Sequence, residues 1–101
     1  MNSHRFSLEA LEDLDVIWQW VAADDVRAAD RSIADIKSAC GQIAEHPNLG
    51  GRHTQWTRKP VRFFLIRTNY WIVYDPESKP LEIMRIVHAA RDIARILSAD
   101  S

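Results

Sequence analysis

Three short apolar runs in the second half of the chain constrain the fold most: residues 61–66 (VRFFLI), 70–74 (YWIVY) and 81–87 (LEIMRIV). Each has strand length and is rich in β-branched and aromatic residues. The first two end in turn formers, Thr68-Asn69 and Asp75-Pro76. A parallel crossover needs a dozen or more residues, and the gaps here are far shorter, so the runs must pair antiparallel as a meander. Arg62, Arg67 and Arg85 punctuate the strands, and His88 and Arg91 follow the last one. A small sheet carrying a set of cations is therefore the expected working part.

What precedes the sheet is helical. Ser7 is a good N-cap, and Glu9 lies in the first turn, where the helix dipole favours an anion. Leu8, Leu11, Leu14, Ile17, Trp18 and Val21 recur at helical spacing, while Glu12, Asp13, Asp15 and Gln19 fill the other face. This predicts an amphipathic helix to about Ala23 whose carboxylates are solvated. Trp18 and Trp20 point in different directions, so at least one is expected to stay accessible. Asp24-Asp25 breaks the helix and caps a second, with the stripe Val26, Ala29, Ile33, Ile36, Cys40 and Ile43. His46-Pro47 ends it, because the residue before a proline is pushed out of the α region.

Two amphipathic helices joined by a short break form an αα-hairpin, and stacking it on one sheet face buries both stripes. The expected fold class is α+β in two layers, an N-terminal αα-hairpin on a small antiparallel sheet. Arg5-Phe6 would join the sheet edge. A short C-terminal helix over 89–97 would follow the sheet, and 98–101 would fray. Ile17, Ile33, Ile36, Ile43, Val73 and Ile83 are expected in one buried cluster.

At 101 residues the chain reads as one domain over 1–101. An apolar fraction of 47% with 27% charged residues excludes a disordered chain. No apolar run approaches a membrane span and no secretory pattern opens the chain, so no membrane partner and a cytoplasmic setting are expected. Cys40, the single cysteine, has no internal disulfide partner and sits in a helical apolar stripe, as a buried thiol would. Residues 1–50 hold four Lys/Arg against nine Asp/Glu, and 51–101 hold nine against five, so the halves carry −5 and +4. The basic half is the one with the strands, which suggests a sheet face for an anionic partner, nucleic acid or an acidic protein segment.

His4, His46, His53 and His88 share no i,i+4 spacing, and one cysteine cannot build a zinc cage, so no metal is expected. No cofactor is expected either, since glycine-rich phosphate loops and a nucleophile elbow are absent. Loop 47–57 carries Gly50-Gly51 for tight backbone, Trp56 as an anchor, and His53, expected as an exposed surface histidine. What remains is Arg62, Arg85, His88 and Arg91. Strict alternation along the last strand puts Leu81, Ile83, Arg85 and Val87 on one face and Glu82, Met84, Ile86 and His88 on the other. Arg85 and His88 then converge only if a bulge intervenes. With Asp92 close behind, His88 is expected to form a structural bridge.

The pieces LEALEDL (8–14), PNLG (47–50), VRF (61–63), YWIVY (70–74) and IMRIVHAARD (83–92) stand in an order that resembles the RelE/ParE superfamily of toxins from bacterial type II toxin–antitoxin systems. They cover nearly the whole chain, and the last is the most specific. The resemblance implies the hairpin-on-sheet fold and toxicity neutralised by a cognate antitoxin, ParD-like or similar. Such an antitoxin is expected to pack an amphipathic, largely helical tail around the hairpin and over the sheet, with the accessible tryptophan as a hot spot.

The superfamily has two functional arms. RelE-like members are ribosome-dependent messenger-RNA endonucleases, which need basic residues around the scissile phosphate and a general acid or base, often a tyrosine near the C-terminus. On that resemblance Arg62, His88 and Arg91 would be the catalytic set. Trp71, however, stands where that arm commonly has an arginine, and Leu97 where it has the tyrosine. Trp71 and the H-A-A-R-D ending look instead like the ParE arm, whose studied members poison DNA gyrase by binding it. The expectation is a ParE-like toxin with antitoxin and gyrase as partners. Trp18, Trp20, Arg62, Arg85 and Arg91 would bind those partners, the arginines alternatively holding the fold. The alternatives are a RelE-like nuclease acting on ribosome-bound messenger RNA and a non-toxic antitoxin-binding relative.

Overall fold

The computed structural model describes residues 3–99. In chain order the elements are β1 (His4–Phe6), α1 (Leu8–Ala22), α2 (Val26–Glu45), β2 (Arg62–Leu65), β3 (Tyr70–Asp75), β4 (Leu81–His88) and α3 (Ile93–Ala99). The last three strands form the expected antiparallel meander. The β2–β3 turn places Asn69 at φ 67°, a left-handed conformation that asparagine tolerates. β1 joins the edge of β4 in parallel, so the sheet is mixed, in the order β1-β4-β3-β2. The architecture is α+β, as the sequence pattern implied. Of the closing residues expected to fray, Ser98 and Ala99 continue α3, while Asp100 and Ser101 lie outside the described residues. Among the described residues no helix is long and apolar enough to cross a membrane.

Ser7 joins the two layers. Its N–H donates to the Ile83 carbonyl at 2.9 Å and its hydroxyl to that of Met84 at 2.8 Å. The same hydroxyl caps α1 by accepting from the Ala10 N–H at 3.0 Å. Tying the first turn to β4 sets the rotation of the helix. Ala10, Leu14 and Ile17 are buried, whereas Leu8 and Leu11, which spacing alone placed on the buried stripe, are exposed. Asp25 caps α2 by accepting from the Ala28 N–H. The α2 stripe packs from Ala29 through Ile36, Cys40 and Ile43. Val26, in the first turn beside the interhelix break, is exposed against expectation.

Both faces of the sheet are covered. On the hairpin face, Ile17, Ile36, Cys40 and Ile43 meet Tyr70, Ile72, Tyr74, Leu81, Ile83 and Ile86, with Ile33 half-buried against them. On the other face, Val61, Phe63, Val73 and Val87 pack with Ile93 and Leu97 of α3 and with Trp56. The two-layer expectation is thus corrected to two layers plus a partial third. Val73 belongs to this second cluster because it alternates with Ile72 and Tyr74 along β3. The sheet face expected to receive an anionic partner is occupied by the protein's own aromatic and aliphatic side chains.

A β-bulge shifts the phase of β4. Val73 pairs with Arg85 but Tyr74 with Ile83, which leaves Met84 as the extra residue. Leu81, Ile83 and Ile86 therefore share the hairpin core and Val87 the opposite one, so strict alternation does not hold.

Candidate functional site

Two of the candidate arginines are engaged in holding the fold. Arg62 on β2 donates from Nη1 to the Gly50 carbonyl at 2.7 Å. The Tyr74 hydroxyl on β3 donates to the Pro47 carbonyl at 2.6 Å and accepts from the Gly50 N–H at 2.8 Å. Pro47, Gly50, Arg62 and Tyr74, separate pieces in the sequence, close one hydrogen-bonded clamp over the loop that leaves α2. Burial pushes the Tyr74 pKa up, against opposing pulls from the Gly50 N–H and Arg62, so the hydroxyl keeps its proton and donates. A Cβ on Gly50 would lie 2.7 Å from that hydroxyl and 2.8 Å from the Phe63 carbonyl oxygen, so only glycine fits.

Arg85 pairs with Asp13, which was expected among the solvated carboxylates of α1. Asp13 is half-buried and accepts from Arg85 Nε at 2.8 Å, Arg85 Nη2 at 3.0 Å and the Ile86 N–H at 2.9 Å. β1 pairs with β4 only through Leu81, Glu82 and Ile83, so further along Asp13 supplies an acceptor where a neighbouring strand is lacking. The sequence held a sign of this. Asp13 lies three residues after Ala10 and four before Ile17, both buried, and so beside the core stripe.

His88 and Arg91 lie at the surface. The His88 Nδ1 accepts from the Ala90 N–H at 3.0 Å, which puts the ring proton of the neutral imidazole on Nε2. The ring stands edge-on to Tyr70 at 5.2 Å. The expected bridge to Asp92 does not form. The turn closes locally through the Arg91 N–H on the His88 carbonyl, and Asp92 accepts instead from the Arg95 N–H at 3.2 Å.

Arg85 and His88, which stay on opposite faces of β4 because the register is regular from Arg85 onward, both line one cavity of about 630 Å³ between the flank of α1, the end of β4 and α3. Val16, Trp20 and Ile96 line it with apolar surface, and Tyr70 and Arg91 with polar groups. Burial raises the Tyr70 pKa, so this hydroxyl also stays protonated. Trp20 is 79% exposed, whereas Trp18 is 37% exposed and donates from Nε1 to Asp30 on α2 at 2.9 Å. Of the two tryptophans, Trp20 is the one that lines this cavity.

His53 is half-buried in an aromatic cluster, not a free surface histidine. It stacks on Trp56 at 4.3 Å and meets Phe63 and Trp71 edge-on at 5.3 Å each. Trp56 lies in the same loop, but Phe63 and Trp71 come from β2 and β3, which local reading of the loop does not reveal. Trp71 belongs to this cluster, and Leu97 is 6% exposed within the same apolar layer. The positions where the nuclease arm has an arginine and a tyrosine are therefore packing positions here. Among the described residues no three His, Cys, Asp or Glu side chains are grouped to hold a metal ion. Burial pushes the Cys40 thiol up to about 12, which makes it inert as a nucleophile.

A family model described as "ParE toxin of type II toxin-antitoxin system, parDE" matches residues 5–93. The chain is also 32% identical over 95 residues to a Sinorhizobium fredii (strain NBRC 101917 / NGR234) protein named "Putative toxin Y4kP". That alignment spans 92% of this chain and 94% of the relative. The fold matches a chain of a solved structure titled "Chromosomal ParDE TA system from P. aeruginosa" with a TM-score of 0.71. It covers 87% of this chain and 96% of that one at 21% identity, a likeness that speaks for the fold alone.

Proposed function

The chain belongs to the ParE toxin family of type II toxin–antitoxin systems, and on that premise we propose that it acts through protein contact, inhibiting DNA gyrase and neutralised by a cognate antitoxin. It would do so as one domain in the cytoplasm, where gyrase works. The observation that carries this reading is the packing of Trp71 and Leu97. Cleaving a phosphodiester needs preorganised charge and a proton donor at the reacting atoms, and losing one such group costs on the order of 10²–10³ in rate. At both positions this chain has apolar side chains committed to its second core. Arg62 and Arg85 are drawn to Gly50 and Asp13. An apolar surface around Trp20 remains, which suits binding better than catalysis.

Two assays on antitoxin-free protein test the reading: gyrase supercoiling, and cleavage of messenger RNA on translating ribosomes. Supercoiling should be inhibited and no codon-dependent cleavage should occur. Cleavage that His88→Ala abolishes would restore the nuclease reading. Inactivity of folded protein in both assays would leave an antitoxin-binding module without toxicity.

A further inference from the structure

From His46 to Tyr74 the chain has no Asp or Glu, yet Arg52, Arg58, Lys59, Arg62 and Arg67 all fall within that stretch. Three of these cations lie in the loop before β2, where Arg52 and Arg58 are exposed and Lys59 is half-buried. The loop meets the last turn of α3 at a cavity of about 390 Å³. Thr54, Gln55, Thr57, Arg58, Lys59 and Ser98 form its polar wall, and no carboxylate lines it. The cavity beside Trp20, by contrast, holds Asp13. Arg95, exposed one turn before Ser98 on α3, extends the patch, as does Arg52 beside the Trp56-stacked His53. Arg52, Arg58, Lys59 and Arg95 make no ion pair with the described residues. Asp92, the carboxylate nearest to Arg95 in sequence, accepts from the Arg95 N–H at the start of α3.

We infer that this cationic cap binds the phosphate backbone of duplex DNA, and so grips the DNA on which gyrase acts. The inference rests on the gyrase reading above and adds to it a second surface and its ligand. Unpaired guanidinium and ammonium groups set among hydroxyl and amide donors suit phosphate oxygens, and each phosphate neutralised releases counterions. The chain's net charge is −1, so such binding must come from this local excess of cations. An acidic protein segment fits less well. Protein interfaces draw most of their energy from apolar or aromatic anchors, whereas Trp56 and Leu97 are packed into the second core. A single strand fits less well too, because such strands bind by stacking bases on free aromatic faces. The Trp56 ring is already stacked on His53 at 4.3 Å and met edge-on by Phe63 at 5.1 Å and Trp71 at 5.2 Å. Phosphate contacts carry no base readout, so binding should not depend on sequence.

The test uses the purified chain and, as probe, a short fluorescent DNA duplex, with affinity read by anisotropy over a salt series. Gyrase supercoiling is assayed alongside. Wild-type affinity should fall on the order of 100-fold between about 50 and 200 mM salt, as four phosphate contacts predict. Arg58→Gln should lower the salt slope by about one, and Arg58→Glu combined with Arg95→Glu should weaken binding about tenfold or more. That pair should also need more toxin to inhibit supercoiling. Arg31→Glu, an exposed cation of α2 across the sheet, should bind within about threefold of wild type at about 150 mM salt. All these variants alter exposed side chains, and thermal melts confirm that they fold. No duplex binding by the wild type, or wild-type affinity and slope in the Arg58 and Arg95 variants, would overturn the assignment and leave the gyrase reading standing. Duplex binding by a chain that leaves supercoiling untouched would overturn gyrase's DNA as the occupant, and the gyrase reading with it. Tighter binding of a single-stranded RNA of the same length would make the cap a single-strand site instead.

Discussion

Asp13 and Arg85, 72 residues apart, form a two-pronged ion pair in which one carboxylate oxygen also accepts the Ile86 N–H. One side chain of α1 therefore neutralises a strand cation and satisfies the strand backbone beside the bulge. Both side chains are mostly buried, at 15% and 18% exposure, so breaking the pair leaves a poorly solvated charge. Asp13→Ala should cost about 2–4 kcal/mol, and Asp13→Asn less, because an amide oxygen still accepts from Ile86. Urea melts check this. A loss below about 0.5 kcal/mol for Asp13→Ala would mean that the pair is no more than a surface contact.

The clamp at Gly50 makes a second prediction. Tyr74→Phe removes the partner of a buried N–H and of the Pro47 carbonyl, and should cost about 1–3 kcal/mol. Gly50→Ala pushes a methyl against the Tyr74 hydroxyl and the Phe63 backbone, and should cost about as much through overpacking. Both should also loosen the Gly51–Phe63 bridge, read as faster hydrogen exchange at the Gly51 and Phe63 amides. Slow exchange at those amides in both variants would show that the loop is held by other contacts.

Alkaline stability follows from burial. Cys40 is raised from an ordinary 9.0 to about 12 by desolvation, and Tyr70 and Tyr74 are raised from 10.0 by the same cause. With each folded pKa above its unfolded value, the unfolded chain loses its proton first. The stabilisation is then complete below about pH 9 and is lost as pH rises toward 12. At pH 11, two units above the ordinary thiol, Cys40 alone should remove on the order of 2–3 kcal/mol. Cys40→Ala should flatten the loss between pH 9 and 10, before the tyrosines contribute. Equal slopes for wild type and Cys40→Ala over that interval would show that the thiol has room to ionise in place.

Periodicity alone gave the elements and their order, because each strand run and each helical stripe is written locally. It failed where a tertiary contact sets the phase. Leu8 and Leu11 fit an apolar stripe, yet Ser7 is tied to β4 and turns Ala10 inward instead. Val73 looks like any core valine until the pleat assigns it to the face under α3. The site was legible in part. Trp18 and Trp20 stood out as a pair of which at least one stays accessible, and Arg91 as a cation after the last strand, but Asp13 read as one more solvated carboxylate, and a bulge centred on Met84 leaves no local mark. Arg62 and Tyr74 were visible as motif residues. Their meeting with Pro47 and Gly50 is a matter of topology, and spacing does not carry it.

The last prediction concerns the distance between this chain and a nuclease. If catalysis were absent only because two groups are missing, Trp71→Arg with Leu97→Tyr should create it. The packing argues otherwise. Leu97 is 6% exposed beside Val61, Phe63 and Ile93, so a tyrosine there overpacks the layer at a cost of about 1–3 kcal/mol. Trp71 meets Trp56 at 5.2 Å and Phe63 at 6.4 Å besides His53, and such ring pairs contribute about 0.5–1.5 kcal/mol each. The two sites share one cluster, so their effects should couple instead of adding. The double variant should melt well below wild type and show no ribosome-dependent cleavage, as measured by thermal melts and primer extension on translated messenger RNA. A variant that stays as stable as wild type and cleaves codon by codon would show that the nuclease geometry persists beneath the apolar side chains.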